Sequence, residues 1–181
     1  MIRSFIALAL PTPIREQAKA LQTKAAGLGI RCVPPENLHL TLAFLGDQPQ
    51  TALEDLHPGL DAISLPPVPL QSAGVVPFSA KHQTAIALTI KDTPELSALH
   101  KAVARAVRHS GIRLERRKFR PHVTIARMAS SQMASSAAQT LLAGTPPQPI
   151  APERTDSFAL YESELTPQGA RYTPLADYSL R

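Results

Sequence analysis

Two short strings in the chain carry the same side-chain pattern: His39-Leu40-Thr41-Leu42 and His122-Val123-Thr124-Ile125. In an extended segment alternate residues share a face. Each string therefore presents one imidazole and one hydroxyl on one side and aliphatic residues on the other. Imidazole titrates near neutrality, so of two such groups one can accept a proton while the other donates one. Phosphodiester hydrolysis needs that pair: a base to activate water and an acid to protonate the departing oxygen. Two threonine hydroxyls beside the imidazoles can hydrogen-bond the non-bridging phosphoryl oxygens as charge builds on them.

Accident is a poor explanation of the pair. Threonine fills 13 of 181 positions and there are six histidines. Two His-x-Thr strings then arise by chance about one time in sixteen, and apolar residues at all four flanking positions lower this to about a few in a thousand. A lone strand histidine reads first as a hydrogen-bonded surface or core residue; duplication reverses that reading. His57, His82, His100 and His109 have no such context. Neither motif strand supplies an acidic or cysteine partner for an ion, so no metal and no other cofactor is expected. Thr41 and Thr124 also fit as plain β-formers. Arg127 could add a bidentate charged contact, but strict alternation puts it on the Val123 face, so it reaches the site only where the strand ends or bends. By the same parity Phe44 lies with Leu42 and packs in the core.

The charge is uneven. Nine Lys and Arg stand between Lys101 and Arg127 against the single acid Glu115, so this segment is +8 and the rest of the chain −3, within a total of +5. Such a field favours a polyanion or a phosphorylated ligand, or is a solvated helix face plus a basic loop. Five Phe, three Tyr and no Trp rule out a broad stacking platform while allowing one or two bases to be held. A chain 44% hydrophobic and 18% charged is not disordered overall, and no apolar run is long enough to span a membrane. Met1 to Leu10, followed at once by Pro11-Thr12-Pro13, reads as a strand rather than a secretory signal. The single Cys32 excludes an internal disulfide, has no acid–base framework around it, and fits a reducing, cytoplasmic setting.

The elements that must position these residues are short, because eighteen prolines punctuate the chain. Arg3 to Leu10 reads as a strand. Thr12 caps a helix with Pro13 at its first position and Ile14, Ala18, Leu21, Ala25 and Leu28 on one face, ended by Gly27 and Gly29. Leu38 to Leu45 is a strand closed by Gly46-Asp47. A helix near Thr51 to His57 is limited by Pro58. Val68 to Val76 and Thr84 to Ile90 are strand-like. Thr93-Pro94 opens the clearest helix, with Leu96, Leu99, Val103 and Val107 on one side and Gly111 at its stop. Pro121 to Met128 is a strand, 129–149 a poor helix plus a flexible connection, and Thr155 to Tyr161 and Ala170 to Leu175 close the sheet. The two halves each place a helix before a His-x-Thr strand, which predicts an α+β fold with pseudo-twofold duplication, residues 1–181 forming a single domain of two lobes.

The strings Asn37-Leu38-His39-Leu40-Thr41-Leu42-Ala43-Phe44-Leu45-Gly46 and Phe119-Arg120-Pro121-His122-Val123-Thr124-Ile125-Ala126-Arg127 resemble the two signatures of the 2H phosphoesterases. Within them the match is closest to the bacterial and archaeal RNA 2',3'-cyclic phosphodiesterases, also called 2'-5' RNA ligases. Phe5-Ile6-Ala7, Ile14-Arg15-Glu16, Leu160-Tyr161-Glu162-Ser163 and Arg171-Tyr172-Thr173-Pro174-Leu175 are similar to that family's ends, so the likeness covers nearly the whole chain. The Ala/Ser tract after Arg127 and Pro58 depart from the pattern and bear on helix lengths.

The resemblance implies a bilobal fold of two antiparallel sheets lining a central cleft, helices outside, with one motif from each lobe. It implies metal-independent opening of a 2',3'-cyclic phosphate on an RNA end to a 2'-phosphate, with no cofactor, and ATP-independent 2'-5' joining at the same site. The partner it implies is RNA with such an end, tRNA fragments included, with no membrane and no obligate protein partner. His39 and His122 share the acid and base roles. His122 is assigned as base and His39 as acid, the pseudo-symmetry leaving the two exchangeable by sequence. The family also implies that Arg127 reaches the phosphate and that Phe44 stacks on the terminal base, both against simple alternation. A non-catalytic RNA-binding protein using the basic 101–127 segment, and a metal-dependent hydrolase, are the competing readings.

Overall fold

Short apolar runs separated by proline and glycine fold into antiparallel strands on which the helices lie. The computed structural model describes residues 1–79, 82–143, 151–167 and 169–181. In chain order these hold β1 (Ile2–Ala9), α1 (Thr12–Gly27), β2 (His39–Gln48), α2 (Gln50–Asp61), β3 (Val68–Leu70), β4 (Ser72–Ser79), β5 (Gln83–Ile90), α3 (Pro94–His109), β6 (His122–Ala129), α4 (Ser136–Ala143), β7 (Glu153–Thr155), β8 (Ser157–Thr166) and β9 (Gly169–Ser179). Short 3-10 turns at Pro35–Asn37 and Ser130–Ala134 lead into β2 and out of β6.

The principal sheet runs β4-β5-β6-β2-β1-β8-β9, and β3 pairs with β7 in a small second sheet. All pairs are antiparallel. The two sheets expected around a cleft are the halves of this large one: β4-β5-β6 on one side, β2-β1-β8-β9 on the other. The halves are registered to each other through Leu40 opposite Val123, so the seam between the motif strands is narrow. The duplication is visible in the topology. β1-α1-β2 and β5-α3-β6 are two copies of strand, helix, antiparallel strand, with the motif strands side by side at the centre. Each helix packs across the motif strand of the other copy, α1 on β6 and α3 on β2.

Burial sets the register. Leu40 and Val123 are fully buried and join Ile6, Leu8, Leu88 and the apolar faces of α2 and α3 in one core. Burying a Leu or Val side chain is worth about 1.5–3 kcal/mol. A slip of one residue would swap these for His39 and His122, so the alternation keeps both imidazoles on the face opposite the helices. At α3 the expected cap is present: Thr93 accepts a hydrogen bond from the Leu96 N–H at 3.2 Å.

Several expectations about these elements need correction. The N-cap of α1 is Pro11, with no side-chain cap bond, and Thr12 is already helical. On the buried face of α1, Gln22 is buried where Leu21 is only half-buried. Helix α2 runs through Pro58 to Asp61. Pro58 removes one intrahelical bond, but it and Glu54 are exposed, so water can serve the freed carbonyl while Leu53, Leu56 and Leu60 hold the helix to the core. The run Val68 to Val76 is two strands in different sheets, β3 and β4. The expected helix in 129–149 is the turn at Ser130–Ala134 followed by α4; the rest of that tract, 144–150, lies outside the described residues.

Candidate active site

His39, Thr41, His122 and Thr124 share one face of the sheet at the seam. Because Leu40 opposes Val123, His39 faces Thr124 across the strands and Thr41 faces His122. The two histidines are then diagonal neighbours, a relation that puts α-carbons about 7–8 Å apart at ordinary strand spacing. Each ring is oriented in the same way by its own backbone. His39 Nδ1 donates to the Asn37 carbonyl at 2.7 Å and His122 Nδ1 to the Arg120 carbonyl at 2.7 Å. With Nδ1 carrying the proton, Nε2 of each neutral ring is the lone-pair atom. His39 Nε2 accepts from the Thr41 hydroxyl at 3.0 Å. His122 Nε2 has no hydrogen-bond partner among the described residues. Asn37, whose carbonyl holds His39, is itself anchored by its side-chain amide on the Ala170 carbonyl.

Two bulges bring in the residues that simple parity put on the wrong face. Along β1, Ile6 pairs with Ala43 and Ala7 with Thr41, leaving Leu42 as an extra residue in β2. Along β5, Ile86 pairs with Ala126 and Ala87 with Thr124, leaving Ile125 extra in β6. Leu42 and Ala43 are both buried, as are Ile125 and Ala126, and past each bulge the alternation is reversed. Phe44 is therefore not a core residue: it is 53% exposed and stacks on Phe5 at 5.9 Å. Arg127 is exposed on the motif face, where its charge acts on both His39 and His122. The cue is in the sequence, in the Leu42-Ala43 and Ile125-Ala126 pairs at the same place and in the repeated Ile-Ala-Leu of the partner strands at 6–8 and 86–88.

An aromatic wall lines the His39 side. The Phe5 ring lies 4.8 Å from His39, 5.2 Å from Tyr161 in a stack and 4.8 Å from Tyr172 edge-on; Tyr172 also meets His39 edge-on at 5.3 Å. A pocket of about 200 Å³ opens there, walled by Phe5, Tyr161, Tyr172 and His39 with Arg15 and Glu36 at its polar side, and with no residue from β6. On the other side a column forms over His122: Phe78 stacks on the ring at 4.3 Å and the Arg120 guanidinium lies over Phe78 at 4.4 Å. Sequence reading missed Phe5, Phe78, Tyr161 and Tyr172 as site residues. Strand adjacency unites them, and none carries a local motif.

The electrostatics favour neutral rings. Burial, first of all, holds His39 below the usual imidazole range; His122 and Arg127 push the same way against the Asn37 carbonyl. Burial likewise lowers His122, helped by Arg127 and Arg120 and opposed by the Arg120 carbonyl. Burial raises the Tyr172 hydroxyl, with Arg127 and Arg3 opposing.

The remaining candidates sit elsewhere. His57 Nδ1 accepts from the Tyr178 hydroxyl at 2.5 Å, joining α2 to β9. His100 stacks on Phe119 at 3.9 Å, and His109 bonds the Arg105 carbonyl at the end of α3. His82 is exposed. Cys32 is free and half-buried, and burial pushes its thiol up. Among the described residues no three His, Cys, Asp or Glu side chains are grouped to share an ion, and no helix is long and apolar enough to cross a membrane.

Residues 10–165 match the family model described as the 2'-5' RNA ligase superfamily. The chain is 26% identical to an RNA 2',3'-cyclic phosphodiesterase of Archaeoglobus fulgidus over 176 residues, 96% of this chain and 98% of the relative. It is 30% identical to one of Thermus thermophilus over 195 residues, 99% of this chain and 91% of the relative. Among solved structures it is similar to E. coli LigT complexed with 3'-AMP, at a TM-score of 0.82 and 28% identity, covering 99% of this chain and 98% of that one.

Proposed function

The chain belongs to the 2'-5' RNA ligase superfamily, and on that premise we propose that it opens 2',3'-cyclic phosphate ends of RNA to 2'-phosphates without a metal. One observation carries the reading: two imidazoles share one face of the seam, each fixed through Nδ1 by the carbonyl two residues before it. His122 Nε2, which has no hydrogen-bond partner among the described residues, takes a proton from water as the water oxygen attacks phosphorus. The P–O3' bond breaks in line with the attack, and His39 Nε2–H gives its proton to O3', leaving a 2'-monoester. The two Nε2 atoms then hold one proton between them, as at the start, on the opposite partner.

The assignment of acid and base follows from where a nucleoside fits. In-line attack puts water and the departing O3' on opposite sides of phosphorus, so ribose and base lie on the side of the acid. The aromatic pocket is beside His39, which supports His39 as acid and His122 as base. Phe44, stacked on Phe5 at the pocket's edge, extends the surface for the terminal base. Thr41 and Thr124 donate to the non-bridging oxygens, and Arg127 offsets the growing charge. The anionic substrate itself raises both imidazole pKa values, which favours uptake from solvent of the one proton the acid needs.

Joining to a 5'-hydroxyl end is the same in-line exchange with the 5'-oxygen in place of water, giving a 2'-5' linkage. The exposed basic loop before β6, with Arg120 on Phe78 above His122, supports RNA contact on the attacking side. The substrate and the single thiol fit a cytoplasmic setting, with tRNA fragments among the RNAs of the right chemistry. The test is to incubate the protein and excess chelator with an RNA ending in a 2',3'-cyclic phosphate. A 2'-monoester is expected; a 3'-monoester, or an untouched end, overturns the reading.

A further inference from the structure

Beyond the Leu40–Val123 pair, the edge of β6 that faces β2 would carry unpaired backbone groups at the centre of the molecule. The segment Arg31 to Val33 covers it. The Val33 N–H donates to the Ile125 carbonyl at 3.0 Å, the Arg127 N–H to the Arg31 carbonyl at 3.4 Å, and Cys32 bridges Ala126. Ile125 is the extra residue of the bulge that reverses the face of Arg127. From below, one side chain joins the strap to the bulge: Gln22 Nε2 of α1 donates to the Val33 carbonyl at 2.7 Å and to the Ile125 carbonyl at 3.3 Å. Gln22 is 6% exposed.

We propose that Gln22 is a positioning residue for Arg127, its buried amide holding the β6 bulge that turns the guanidinium onto the motif face. A buried amide is costly unless bonded, and the Gln22 Oε1 has no partner among the described residues. An apolar side chain would bury better there, so the two donated bonds are what the amide contributes. The other half of the fold makes the contrast. The buried face of α3, which packs on β2, is wholly apolar (Leu96, Leu99, Val103, Ala104 and Val107), and the residue after the β2 bulge is the uncharged Phe44. The half that must aim a cation has a hydrogen-bonding clamp beneath its bulge. Among the described residues, the half that aims an aromatic ring has none.

The kinetic arm of the test rests on the proposed phosphodiesterase reading; the spectroscopic arm does not. Gln22→Met keeps the volume and removes the donors, with Leu21→Ala as a packing control on the same helix. In substrate-free protein, NMR titration of the His122 ring should move upward in Gln22→Met and in Arg127→Ala, since the Arg127 charge lowers that pKa, and stay in place in Leu21→Ala. On cyclic-phosphate RNA, Gln22→Met should lose about tenfold in kcat/KM, as misplacement of a binding group does, but about twofold or less in an Arg127→Ala background, because the two act as a unit. An unmoved His122 titration, or the same loss in both backgrounds, overturns the role of Gln22. If the wild type leaves the cyclic end intact, the phosphodiesterase reading fails and the titration alone decides Gln22. Should Gln22→Met fail to fold, Gln22→Asn, which keeps the amide on a shorter stem, carries the same comparisons.

Discussion

Phe44 and Arg127 occupy the same place in the two halves of the fold. Each stands five residues after its motif histidine, and each is turned to the motif face by a bulge in which two successive buried residues, Leu42-Ala43 or Ile125-Ala126, break the alternation. The duplication supplies two equivalent positions, and the chain spends one on a cation and the other on a ring.

These positions should fail differently. On the proposed mechanism Arg127→Ala removes a charge that opposes the build-up on phosphorus, so it should lower kcat by about 10²–10³-fold, the range for loss of one such donor. Phe44→Ala removes only a stacking surface worth about 1–3 kcal/mol per base, and that contact is equal in ground and transition states. It should therefore raise KM with kcat nearly unchanged. Steady-state kinetics on a cyclic-phosphate oligonucleotide separates the two. A kcat defect in Phe44→Ala as large as that of Arg127→Ala would end the distinction.

His39→Ala and His122→Ala should each lower turnover by about 10²–10⁴-fold, the usual contribution of one general acid or base. Affinity for the RNA, measured by fluorescence anisotropy, should stay within about threefold, because each substitution removes one ring from the wall or the column and leaves Phe5, Tyr161, Tyr172, Phe78 and Arg120 in place. The double variant should be little worse than either single one, since on the proposed mechanism the groups act in one concerted transfer. Wild-type turnover should survive exhaustive chelation. Full turnover in either single variant would remove that imidazole from the chemistry.

Both imidazoles are held below their usual range, mainly by burial and also by Arg127. The profile of kcat/KM against pH, which reports the free enzyme, should therefore be a bell centred below pH 6.5. Its acid limb marks protonation of the base and its alkaline limb loss of the proton from the acid. Arg127→Gln deletes a positive charge that disfavours both imidazolium forms. Both limbs should then move to higher pH, and the remaining activity should peak nearer neutrality. A bell that moved to lower pH, or stayed in place, would contradict the placement of that guanidinium beside the two rings.

The strands that bear the two His-x-Thr strings were legible because the forces shaping them are local. Leu40 and Val123 alternate with the polar residues so cleanly that the faces of His39 and His122 could be read directly, and Thr93 marks the start of α3 unaided. The face of Arg127 and Phe44 is harder to read, because a bulge depends on how the neighbouring strand pairs, and its cue, the matched pairs Leu42-Ala43 and Ile125-Ala126, shows only when the two halves are set side by side. The wall of Phe5, Tyr161 and Tyr172 exists only because β1, β8 and β9 come together across 150 residues of chain, and no window of sequence contains it. Gln22 was passed over because a polar residue on an apolar helical face reads as a flaw in the pattern, where the fold uses it as a donor. Helix α2 crosses Pro58 because its leucines outweigh one lost bond.

The basic loop makes a prediction of its own. Arg120 lies over Phe78, which lies over His122, so its charge sits where an RNA backbone would approach the attacking side of the phosphorus. Contacts of this kind release counterions, and for a single strand log K falls against log salt with a slope of about −0.7 per phosphate neutralised. Arg120→Ala should flatten that slope by about 1 contact's worth for a long RNA. At the top of each variant's pH profile it should leave kcat for a short cyclic-phosphate dinucleotide within about twofold, because the His122 clamp uses the backbone carbonyl of residue 120, while the side chain's charge acts only on where His122 titrates. Anisotropy titrations over a salt series, paired with dinucleotide kinetics, test both halves. An unchanged slope would mean that the loop is solvated and that RNA does not pass over this lobe.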